Sequence, residues 1–117
     1  MGLNAELFID DKSVVIKDIK KMNGLWKGKG LMFASKDKAD ALLFEFSTDV
    51  NRTISSIFCP PFLGVWLSED NKVIDYKIIS PGKFSISSPR PFRKLIEVPL
   101  NSKYSDVIEF VLERGKV

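Results

Sequence analysis

The chain has 117 residues, 18 basic and 15 acidic side chains for a formal charge of +3, no histidine and one cysteine. With 44% hydrophobic and 28% charged residues it has the make-up of an ordinary globular protein, which argues against disorder. An intramolecular disulfide, a usual zinc site and any Cys–His or Ser–His catalytic pair are excluded by the residue counts alone. No apolar run approaches the roughly 20 residues that span a bilayer. The first six residues carry no basic segment and no long apolar stretch, and Glu6 stands where a myristoylation signal needs Ser or Thr. The expectation is one soluble, cytoplasmic, β-rich domain over residues 1–117, with no cofactor and no membrane partner.

In chain order, residues 5–9 and 13–19 read as two short strands joined by Asp10-Asp11-Lys12, the second carrying the β-branched run Val14-Val15-Ile16. A short helix is expected over residues 24–32, capped by Asn23 and weakened by Gly24, Gly28 and Gly30. Residues 41–46 and 53–58 follow as strands, and Pro60-Pro61 bends the chain, since proline lacks the amide a ladder needs.

Residues 62–79 read as a β-hairpin whose apolar arms flank Ser68-Glu69-Asp70-Asn71-Lys72. A two-residue Asp70-Asn71 turn pairs Leu67 with Ile74, Val65 with Tyr76 and Leu63 with Ile78 on one face. It pairs Ser68 with Val73, Trp66 with Asp75 and Gly64 with Lys77 on the other. Residues 84–87 alternate in the strand period, and residues 92–98 form the last clear strand before Pro99. The tail fits two patterns. Tyr104, Val107, Ile108 and Val111 fall at helical spacing, which is preferred, whereas residues 107–112 also suit an edge strand.

Three groups of residues invite a functional reading. Trp66 opposite Asp75, beside Gly64 and Lys77, has the make-up of a pocket wall for a ligand or partner; the plainer alternative is a covered indole with two solvated charges. Lys17, Lys20, Lys21, Lys27, Lys29, Lys36 and Lys38, interleaved with Trp26 and Phe33, suit an anion or nucleic-acid surface, although a solvated lysine face has the same composition. The glycines near Trp26 match neither phosphate-loop spacing. Cys59 has no imidazole to activate it and reads as a small buried apolar residue. No serine sits in a nucleophile elbow.

The order of segments resembles an uncharacterised family, domain of unknown function 192. Gly30-Leu31-Met32-Phe33 is similar to the family's Gly-Leu-Met-Phe run, residues 62–75 to its proline-bearing hairpin, and residues 90–98 to its strand ending in Leu-Glu-Val. The likeness spans residues 14–100. It implies a two-sheet β-sandwich of jelly-roll type and no established activity. Ser55-Ser56-Ile57-Phe58-Cys59 replaces the family's Trp-Met-Lys-Asn-Thr run, and Gly64 replaces the aspartate of its Pro-Leu-Asp run. The resulting expectation is a non-catalytic module that binds a protein or small molecule. A weak nucleic-acid or anion binder is the alternative, and an enzyme of unknown type comes third.

Overall fold

The structure, a computed structural model, describes residues 2–22, 37–54, 56, 59–83 and 85–114. Six strands follow in order: β1 (Leu3–Ile9), β2 (Lys12–Met22), β3 (Leu42–Val50), β4 (Phe62–Leu67), β5 (Val73–Ile79) and β6 (Phe92–Pro99). A 3-10 turn at Ser102–Tyr104 then leads into a helix, α1 (Ser105–Arg114), so the tail takes the helical pattern. The expected helix over residues 24–32 lies outside the described residues. Of the strands expected at 53–58 and 84–87, the described residues form one antiparallel bridge, Ile54 to Ile86.

All six strands belong to one mixed sheet in the order β1-β2-β3-β6-β4-β5. In place of two packed sheets there is a single sheet curled into a half-barrel. The curl has local causes. Register in β2 shifts between the partners of Leu3 and Ala5, and Asp18 in that interval takes a left-handed φ of 56°. Such a bulge bends and twists its strand. Before the bend β2 pairs with β1; beyond it, Lys20 lies opposite Leu42 and Met22 opposite Phe44 in parallel with β3. At the other extreme, the Phe8 N–H donates to the Asn71 carbonyl at 2.9 Å, and the Asn71 amide donates to the Glu6 carbonyl at 3.1 Å. These bonds draw β1 onto the β4–β5 turn, so the two edges of the sheet touch at one corner.

Each face of the sheet has its own core. The concave side gathers Leu7, Ile16, Leu63, Val65, Leu67, Ile96 and Val98, with Tyr104, Val107 and Val111 of the terminal segment packed among them. The helix forms there because its buried positions recur at helical spacing and fill a cavity that curled strands cannot close themselves. The convex side of the last four strands gathers Leu42, Phe44, Phe62, Trp66, Leu95 and Phe92, with Cys59, Ile54 and Ile86 laid over them. Paired on both edges and covered on both faces, β4 is buried at every residue.

Candidate functional site

The β4–β5 hairpin sets Trp66 opposite Asp75 and Gly64 opposite Lys77, with Val65 facing Tyr76 and Leu63 facing Ile78. The turn differs from the expected two-residue form. Asn71 N–H donates to the Ser68 carbonyl, Ser68 N–H donates to the Lys72 carbonyl, and Asn71 alone in the turn takes a left-handed φ, 63°. This adds one residue to the loop, and a bulge beside Trp66 and Leu67 absorbs it, so Leu67 meets Val73 rather than Ile74. Residue Ser68 accordingly pairs with Lys72, not Val73.

Trp66 has no exposed surface. Its ring folds back over Gly64, where an added Cβ would stand 2.9 Å from Ile79 Cδ1 and 3.4 Å from Trp66 Cη2. The missing side chain at position 64 is therefore space that Ile79 fills and the indole borders, not an open pocket. Lys77 caps the arrangement: its ammonium lies 5.6 Å from the indole centroid, donates to the Ser87 carbonyl at 2.7 Å and stands 3.8 Å from Asp75 Oδ2. A cation over an indole face is attracted by the ring quadrupole. Asp75 and Lys77 stay at the surface, while Trp66 and Gly64 support them from beneath. In the same cross-strand row as Gly64 and Leu42 lies Glu97, a carboxylate only 4% exposed. Sequence reasoning missed it, because alternation assigns Glu97 to the face of Leu95 but does not say that this face is covered.

Ser56, passed over in the sequence because it sits in no catalytic elbow, is a structural knot. Its hydroxyl donates to the Ser80 carbonyl at 2.7 Å and accepts from the Lys83 N–H at 2.8 Å. Gly82, at φ 82°, donates its N–H to the Ser56 carbonyl across the same turn. Cys59 is buried.

In the lysine-rich stretch, Trp26, Lys27, Lys29 and Lys36 lie outside the described residues. Lys17, Lys20, Lys21 and Lys38 are exposed, and Lys21 stands 3.2 Å from Glu45. No group of three or more metal-ligating side chains gathers among the described residues. No helix among them is long and apolar enough to cross a membrane.

A polar junction that sequence reasoning missed entirely lies at the start of the terminal segment. The Tyr104 hydroxyl accepts from the Ala41 N–H at 2.8 Å and donates to the Asp18 carbonyl at 3.1 Å. Lys103 forms ion pairs with Asp40 and with Asp18, and the Asn101 amide donates to the Ala39 carbonyl at 3.1 Å. Burial holds the Tyr104 phenol above its ordinary range, and the Asp40 carboxylate raises the Lys103 ammonium. The junction ties the bend of β2 to the start of β3, which makes it a clasp rather than a reaction centre.

No family model matches the chain, and no curated protein matches it. Two solved structures share its fold. A protein of unknown function from Novosphingobium aromaticivorans DSM 12444 superposes with a TM-score of 0.65 at 12% identity, covering 87% of this chain and 75% of that one. A protein from Sinorhizobium meliloti 1021, described as a "putative transcription regulator", gives a TM-score of 0.68 at 12% identity over 89% and 83% of the two chains. Identity this low carries the fold and nothing further.

Proposed function

We propose that the chain is one small, non-catalytic cytoplasmic domain, residues 1–117, that binds a protein or small-molecule partner through the uncovered parts of its sheet. The distribution of apolar exposure carries this reading. Among the described residues, the exposed large hydrophobic side chains are Leu3 (48%), Phe8 (37%), Val15 (47%) and Ile78 (46%). All four sit on β1, β2 and β5, where the half-barrel ends, and none on the enclosed strands. Apolar side chains left exposed on the strands toward the two ends of a sheet are surface that a partner can cover. Asp75 and Lys77, supported by Trp66 and Gly64, supply polar groups on the same strand as Ile78.

The test is a thermal-shift screen of purified protein against nucleotides, sugars, metals, fatty acids and short oligonucleotides, run beside a general hydrolase panel. A ligand specific to the native state at a hundredfold excess over its dissociation constant adds about 2.7 kcal/mol. Turnover that single substitutions locate in this chain overturns the non-catalytic reading, and loss of activity on changing Cys59 to Ala would identify the thiol.

A second reading, an anion or nucleic-acid surface over residues 17–38, is favoured by Lys17 and Lys20, which are exposed and form no ion pair among the described residues. The description of the Sinorhizobium meliloti neighbour is in keeping with it. Binding that weakens with salt and is lost when Lys27 and Lys29 are both changed to Ala supports it; no binding at low salt removes it. We also propose that the chain is a divergent member of the family called domain of unknown function 192, on the collinear order of residues 30–33, 62–75 and 90–98. The jelly-roll reading rests on that resemblance. An alignment of homologues in which the family's polar run reappears at residues 55–59 tests the membership.

A further inference from the structure

We infer that β5 pairs, antiparallel and centred on Tyr76, with β5 of a second copy of this chain, so that two curled sheets become continuous across a two-fold axis. The inference deepens the binding-module reading by naming a partner for one strand. A strictly monomeric protein would remove it and leave that reading standing, to be judged by its own ligand screen.

The two ends of the sheet differ. β1 is pinned at its Glu6–Phe8 corner by the bonds with Asn71 and by its bridge to Lys72. β5 pairs with β4 on one side only, and among the described residues no backbone group of Asp75, Tyr76, Lys77, Ile78 or Ile79 bonds to any other segment. An end strand of this kind presents a row of unpaired donors and acceptors that templates another strand. Proteins commonly blunt such an edge with proline, a bulge or lysine. Here the bulge lies at the start of the strand, beside Trp66 and Leu67, no proline lies within Val73–Ile79, and the lysine has a complement.

That complement selects a second copy over an arbitrary peptide. A two-fold axis perpendicular to the sheet keeps each face on its own side, so an antiparallel pairing about Tyr76 sets Asp75 opposite Lys77, and Lys77 opposite Asp75. Both residues lie on the convex face, because they pair with Trp66 and Gly64. Opposite charges directly across a strand pair attract, and like charges repel. Within the chain Asp75 and Lys77 stand 3.8 Å apart at partly exposed positions, so each retains capacity for a closer partner. On the concave face, Ile78 and Tyr76 share a side, and the exposed Ile78 of one copy lies diagonally against Tyr76 of the other, within reach of an aromatic ring. The bulge limits the regular ladder to the second part of the strand. The association is therefore small in area and dependent on concentration.

Sedimentation equilibrium of the full chain, from micromolar to millimolar concentration, tests this. The wild type is expected to self-associate reversibly. Asp75→Lys puts like charges across the axis twice and is expected to weaken association at least about tenfold. Lys77→Asp does the same, and an equimolar mixture of the two variants restores association, since every cross-strand pair is then opposite in sign. Should Lys77→Asp fail to fold for want of its bond to Ser87, Ile78→Lys at its exposed position is the second probe and is expected to dissociate the pair. A wild type that stays monomeric throughout the range overturns the inference. So does a dimer that both Asp75→Lys and Ile78→Lys leave intact.

Discussion

Replacing Tyr104 with Phe keeps the ring and removes one oxygen, yet that oxygen joins three segments. The hydroxyl accepts the Ala41 N–H and donates to the Asp18 carbonyl, and the Ala41 carbonyl in turn accepts from Lys20 at 2.8 Å. Ala41 is fully buried, so in the variant its N–H has neither the phenol nor water. A buried donor left unsatisfied costs about 1–3 kcal/mol. The Asp18 carbonyl belongs to an exposed residue and recovers its bond from solvent, adding little. A loss of about 2 kcal/mol is expected, roughly 8 °C in melting temperature for a domain of this size.

The same substitution carries a pH signature. Burial raises the Tyr104 pKa in the folded state, so the fold favours the neutral phenol. That contribution is complete below the unfolded value near 10 and is lost as pH rises through the folded one. Urea unfolding from about pH 7, below the phenol's titration, to about pH 11, beyond its ordinary value near 10, should show the wild type ahead at neutral pH and the gap to Tyr104→Phe closing above about pH 10. Lys103, whose pKa is also raised, chiefly by Asp40 and in smaller part by Tyr104, titrates in both proteins, and its contribution cancels from the difference except for that coupling. A gap below about 0.5 kcal/mol at pH 7, the scale of an ordinary surface change, refutes the clasp. A gap independent of pH refutes the account of the buried phenol.

Substitutions at three further positions are open to calorimetry. Gly64→Ala is expected to cost about 1 kcal/mol, because the new methyl must displace Ile79 Cδ1, the end of a buried side chain, while it only touches the indole edge of Trp66. Trp66→Ala should cost about 3–5 kcal/mol by cavity formation. Trp66→Phe should cost clearly less, since the indole N–H, which is buried and has no hydrogen-bond partner among the described residues, goes with it. Asn71→Ala, which strains the left-handed turn and deletes the amide bonded to the Glu6 carbonyl, should lose about 1–2 kcal/mol. It should also speed amide hydrogen exchange in β1, and an unchanged exchange pattern there would show that Asn71 does not hold the two edges together.

The strands and most of the hairpin register are legible in the sequence because alternation and turn residues are local signals. Val65 opposite Tyr76 and Trp66 opposite Asp75 follow from counting outward from the turn. The shift at Leu67 does not, because Asp70 and Asn71 equally tolerate a left-handed φ and only the structure shows that Asn71 takes it alone. The terminal helix was written in the spacing of Tyr104, Val107 and Val111. What covers a strand face is a tertiary matter. Nothing near Trp66 announces that Cys59, Ile54 and Ile86 are laid over its side, so a fully enclosed indole and a pocket wall share one sequence pattern. Glu97 and the Tyr104 hydroxyl were illegible for the same reason: what surrounds them is remote in sequence, Leu42 and Gly64 flanking Glu97 and Asp18 lying 86 positions from Tyr104.

That remoteness bears on how the molecule folds. The concave core draws on β1 at one end of the chain and on Val107 and Val111 at the other, and no strand pair near the start is enclosed until the final helix arrives. Non-local pairings of this kind slow folding, because the entropy of closing long loops must be met before the contacts that offset it form. A fragment ending at Leu100 would keep every strand and still expose Leu7, Ile16 and Val65 to water. Its expected behaviour is collapse and aggregation rather than a smaller native domain, because the strands at the start of the chain depend on the terminal helix to cover them.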